Sequence, residues 1–103
     1  MIVNFPFTDV SQTKKRPALI LSNSTINQTG DYLLVQITSQ VNNDGLSVPI
    51  MTADFNGPAL PLTSYVRFHK IFLLNESLIA RRFGAIQPAI RLAVVAGLEK
   101  LLR

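Results

Sequence analysis

The chain has 103 residues, which fits a single domain over 1–103 that can bury a core of its own. It has no cysteine, so disulfides and thiolate metal sites are excluded, and its one histidine and six scattered carboxylates form no ligand cluster. Ten lysines and arginines against six acids leave a net charge of +4, which suits a polyanion such as nucleic acid or an acidic protein.

No metal and no cofactor is expected. The opening Met1-Ile2-Val3-Asn4 lacks a basic region followed by a long apolar run, so it is not read as a signal peptide. No window approaches the ~20 apolar residues of a membrane span, and the expected location is the cytoplasm. An apolar fraction of 48% in so short a chain implies surplus apolar surface, as at a dimer interface.

Five segments read as strands. Ile2 to Phe7 is apolar and aromatic and stops at Thr8-Asp9. Thr8 to Lys15 reads as a polar, basic loop, and Pro17 to Ser22 as a continuous apolar strand. Asn23 to Asp31 holds Gly30 and reads as a connection, followed by the branched and aromatic run Tyr32 to Thr38. After the turn residues of Gln40 to Gly45 comes a shorter strand, Leu46 to Met51, whose Pro49 favours a sheet edge. Asn56-Gly57-Pro58 marks a break.

Ser64 to Leu73 alternates, with Tyr65, Arg67 and His69 on one face and Val66 and Phe68 on the other. Glu76 to Arg82 reads as a short helical turn ended by Gly84. A helix is expected from about Pro88 to Leu102, with Ile90, Val94, Leu98 and Leu101 as its apolar stripe and Lys100 and Arg103 near its C-terminal dipole. Short strands followed by a terminal helix imply a mostly β, α+β domain: a small, strongly curved antiparallel sheet with helices packed on it.

Four blocks in order carry a resemblance: Asn4-Phe5-Pro6-Phe7-Thr8-Asp9 with Lys15-Arg16-Pro17-Ala18-Leu19-Ile20-Leu21-Ser22; Gln36-Ile37-Thr38-Ser39; Leu62 to Ile71; and Phe83-Gly84-Ala85-Ile86. Together these blocks resemble the MazF/PemK toxin family over nearly the whole chain. The resemblance implies a small SH3-like, partly open antiparallel β-barrel with a C-terminal helix, of the CcdB/MazF kind, and a homodimer. It implies metal-independent, sequence-selective cleavage of single-stranded RNA, leaving a cyclic phosphate and a 5′-hydroxyl. It implies a cognate antitoxin whose flexible acidic tail blocks the RNA groove. Block matching sets the catalytic arginine at Arg16 and the catalytic threonine at Thr38.

The chemistry asks for a base at the 2′-hydroxyl, a cation at the phosphate and an acid at the leaving 5′-oxygen. The guanidinium of Arg16 suits the cation, since it forks two phosphate oxygens and stays charged. Read from residue type alone, Arg16 is a solvent-facing residue of the basic loop tip Lys14-Lys15-Arg16 and Thr38 an ordinary β-branched strand residue; the resemblance is what favours their catalytic roles. The Thr38 hydroxyl can donate to a phosphate oxygen. His69 is the candidate acid or base, because imidazole titrates nearest neutral pH, against the alternative of a half-exposed strand histidine. Lys14 and Lys15 are candidates for steering RNA by charge, or form a solvated charge run. Ser39, Ser64 and Arg67 are candidate RNA contacts, with a salt-bridging arginine as the alternative for Arg67. Two other readings compete: a CcdB-like toxin that poisons DNA gyrase, and a silent relative that only binds nucleic acid or an antitoxin.

Overall fold

The computed structural model describes residues 2–8, 13–56, 63–79, 81–82 and 85–103. The expected break at Gly57-Pro58, the end signal Gly84 and the middle of the Thr8–Lys15 loop lie outside the described residues.

Among the described residues, eight strands and two α-helices follow in the order β1 (Ile2–Thr8), β2 (Thr13–Ile20), α1 (Ser24–Asn27), β3 (Asp31–Thr38), β4 (Ser47–Ile50), β5 (Phe55–Asn56), β6 (Ser64–Asn75), β7 (Arg81–Arg82), β8 (Ala85–Ile86) and α2 (Pro88–Leu101). One antiparallel sheet of six strands has the order β4-β6-β3-β2-β1-β7, and β5 pairs with β8 in a small second sheet. The large sheet does not close, and it carries the C-terminal helix. The partly open barrel with a terminal helix is the architecture expected from the sequence. Pro49 lies in β4 at the sheet edge, where its missing N–H costs no rung.

Three expectations need correction. Lys14, Lys15 and Arg16 belong to β2 rather than to a loop: Lys14 pairs with Phe7, Lys15 with Pro6 and Arg16 with Phe5. Hairpin pairing with β1 holds this polar stretch extended, overriding its loop-like composition. The segment after Glu76 is one 3-10 turn, Glu76–Leu78, and Arg81–Arg82 then adds β7 to the edge of β1. In α2 only Val94 is fully buried, with Ile90 and Leu98 packed partly against the core, while Leu101 stands 49% exposed. The stripe is correct in angle but outruns the surface the sheet covers.

The sheet buries apolar residues on both faces. Ile2, Leu19, Val35, Ile37, Ile50 and Val66 pack with Phe68 of β6 and Val94 of α2. Val3, Ala18 and Leu34 form a smaller cluster. Alternation along β2 and β3 assigns these clusters to opposite faces. Burying Val94 alone is worth about 1.5–3 kcal/mol. Helix α2 is also tied to the sheet by Arg91, whose Nη2 donates to the Leu21 carbonyl at 2.8 Å.

The helix approaches β6 closely at Gly97, where a Cβ would meet the Phe68 ring at 2.8 Å. Phe68 lies in an irregularity of β6. The rungs Val35↔Ile71 and Gln36↔Arg67 are neighbours on β3, yet Phe68, His69 and Lys70 lie between them on β6. This bulge bends the strand so that its first half is held between β3 and β4. It also ends the two-residue alternation, so the ladder does not set His69 on the face of Arg67.

Candidate functional site

The β2–β3 ladder runs through Ile20↔Leu34, Leu19↔Val35 and Ala18↔Gln36, and among the described residues it goes no further. The reason is local. Leu21 N–H donates to the Leu33 carbonyl at 2.9 Å. Hydrogen bonds alternate along a strand, so Leu19 and residue 17 also direct their nitrogens at β3. Residue 17 is proline and has no proton to give. The sequence feature Arg16-Pro17 thereby stops the ladder at a defined rung.

Continuing the register two residues past Ala18↔Gln36 sets Arg16 across from Thr38, on the same face. Thr38 is itself paired with Tyr65 of β6, and Gln36 with Arg67. Cross-strand partners share a face, so Thr38 and Tyr65 form one row and Gln36 and Arg67 the next, and the continued register adds Arg16 to the first. Arg16 and Thr38 are both half-buried. The Thr38 Oγ1 accepts the Gln40 N–H at 3.1 Å, which ends the strand and leaves the hydroxyl proton to be donated elsewhere. Ser39 falls in the bend that follows and is exposed.

Arg67 is only 8% exposed, and its guanidinium is engaged. Nη1 donates to Asp44 Oδ1 at 2.9 Å and to Ser47 Oγ at 2.9 Å, and Nη2 donates to Asp44 Oδ2 at 2.8 Å. The hydrogen bond from Arg67, with a further one from the Leu46 N–H, lowers the Asp44 carboxyl to about 2. The same carboxylate raises Arg67 above its ordinary value. Of the alternatives for this residue, the salt-bridging arginine is the one observed.

Ser64 opens β6, pairs with Ile50 and is buried. His69, in the bulge, is half-buried, and its Nδ1 is buried without a hydrogen bond from the described residues. Lys14 and Lys15 have their backbone in β2, while their side chains lie outside the described set. The structure therefore brings Arg16, Thr38 and Ser39 to one end of the β2–β3 ladder. Arg67 stands on the neighbouring row, turned to Asp44. Reading the sequence did not find the Asp44 partnership, although Asp44-Gly45 in a polar turn was a visible signal: Gly45 has a φ of +74°.

Comparison with solved structures finds the same fold. An endoribonuclease in complex with its cognate antitoxin from a mycobacterial species is 25% identical, with a TM-score of 0.75, over 98% of this chain and 89% of that one. MazF in a MazE-MazF complex from Deinococcus radiodurans is 27% identical, with a TM-score of 0.75, over 98% and 90%. The Mycobacterium tuberculosis toxin MazF-mt6, at 19% identity, shares the fold with a TM-score of 0.75 over 97% and 94%. No curated protein sequence matches the chain. The family model of PemK-like, MazF-like toxins of type II toxin-antitoxin systems matches residues 1–102. This chain belongs to that toxin family.

Proposed function

We propose that this toxin is a metal-independent endoribonuclease that cuts single-stranded RNA at selected sequences. The reading is carried by the β2–β3 register, which stops at Ala18↔Gln36 beside Pro17 and, continued by two residues, sets Arg16 opposite Thr38. A guanidinium and a hydroxyl on one face of the sheet can hold two oxygens of one phosphodiester. The 2′-oxygen attacks phosphorus as the bond to the 5′-oxygen breaks, giving a 2′,3′-cyclic phosphate and a 5′-hydroxyl. Arg16 balances the charge that develops on the phosphate, and Thr38 donates to a phosphate oxygen.

Taking the proton from the 2′-hydroxyl or returning one to the 5′-oxygen falls to His69, the chain's one imidazole. Lys14, Lys15 and Ser39 lie along the path of the RNA backbone. The net charge of +4 supports a polyanion there.

The solved relatives in complex with an antitoxin support a cognate antitoxin for this chain as well, and the net charge of +4 suits an acidic, flexible tail on it. A homodimer is supported by apolar side chains left on the surface of α2 and just past its end, Leu92 at 66% and Leu102 at 81% exposed. The test is cutting of unstructured RNA by purified protein in excess chelator, with the ends analysed for cyclic phosphate. Activity lost in chelator and restored by magnesium would overturn the metal-independent reading. Inhibition of gyrase supercoiling without RNA cutting would overturn the endoribonuclease reading itself.

A further inference from the structure

The segment 39–46 leaves β3 at Thr38 and returns as β4, and residues 39–45 are all exposed. It has two anchors. At its start the Thr38 hydroxyl takes the Gln40 N–H. At its end the Asp44 carboxylate takes the Leu46 N–H at 3.0 Å and both terminal nitrogens of Arg67. The Leu46 carbonyl then accepts the Phe68 N–H at 3.2 Å.

The Arg67 end of this arrangement is rigid: the residue is buried in β6 between Gln36 of β3 and Ser47 of β4. A bidentate fork fixes direction as well as distance. A phosphate seeking the same two nitrogens must first displace the carboxylate.

We propose that Asp44 and Arg67 are a positioning pair, whose ion pair clasps the 39–46 segment to β6 so that its exposed amides are presented beside Thr38 to the bases of the RNA. Arg67 then acts on the substrate through the loop and does not bind its phosphates. Amide side chains such as Gln40 and Asn43 suit the edges of unstacked bases, and their reading depends on a fixed loop. This proposal rests on the endoribonuclease reading.

The experiment uses Asp44→Asn, Arg67→Gln and the double variant, with a random single-stranded RNA pool whose cut ends are sequenced. Each single variant should broaden the set of cut sequences and raise KM on the preferred site about tenfold, with kcat changed by less than about threefold. The double variant should be no worse than either single one, because one interaction is lost in all three. Asp44→Glu, which keeps the carboxylate, should recover much of the sequence preference.

A direct phosphate role for Arg67 gives the opposite pattern: Asp44→Asn would bind RNA more tightly while Arg67→Gln lost activity. That result, or an unchanged cut pattern in both single variants, overturns the proposal while leaving the endoribonuclease reading standing. A wild-type protein that cuts no RNA overturns both. If Arg67→Gln does not fold, as judged by circular dichroism, Asp44→Asn against Asp44→Glu decides, because Asp44 lies in an exposed turn.

Discussion

Pro17 faces Ile37 across the first rung that the β2–β3 ladder does not make. The end of the ladder beside Arg16 and Thr38 is thus written into the chain by one missing N–H. Replacing Pro17 with alanine supplies that donor. The new hydrogen bond contributes about 1 kcal/mol, offset by about 0.4–1 kcal/mol from a freer unfolded chain. The melting temperature should stay nearly constant while the residue 17 amide becomes protected from hydrogen exchange and RNA cutting falls about tenfold. Undiminished cutting with a protected amide would show that the missing rung is not needed.

Arg16→Ala should lower kcat by about a hundredfold to a thousandfold, the usual cost of removing one group that stabilises transition-state charge. Thr38→Ala should act in the same direction, and Thr38→Ser should recover part of the loss because it keeps the hydroxyl. Single-turnover cutting in chelator, with circular dichroism to confirm folding, measures both. Full activity of Arg16→Ala would remove it from the chemistry.

Gly97 tests how α2 is seated. Alanine there gains about 1 kcal/mol of helix propensity but forces a Cβ against the Phe68 ring. Overpacking costs about 1–3 kcal/mol, so the net effect is a loss of about 1 kcal/mol and a melting temperature lower by about 4–8 °C. The penalty should shrink in a Phe68→Leu background, which makes room. Thermal unfolding of the four proteins in this cycle is the measurement.

Acid should release the clasp in a defined window. The Asp44 carboxyl is lowered from its ordinary 3.8 to about 2, chiefly by the hydrogen bond from Arg67. A group lowered in the folded state contributes stability in full above its unfolded value. That contribution fades as pH falls from there and is gone below the folded value. The pair should therefore be intact at pH 5 and half released at about pH 2, while its contribution to stability changes most between about 4 and 2. The carbon chemical shift of the Asp44 carboxyl follows this directly, and a midpoint near 3.8 would mean that the ion pair is not formed in solution.

Much of this architecture is legible in the chain itself. Alternation and branched residues marked β3 and most of β6, Pro49 marked an edge, and Pro88 marked the start of α2. These are local signals, set by side-chain period and by the chemistry of one residue. Arg16-Pro17 and Thr38 were also visible as types, but not as neighbours. Their separation of 22 positions is bridged only by strand register, which depends on the whole sheet. The bulge at Phe68–Lys70, the capture of Arg67 by Asp44 and the reach of α2 over the sheet were decided in three dimensions. Each depends on which surfaces meet, and an alternation pattern does not contain that information.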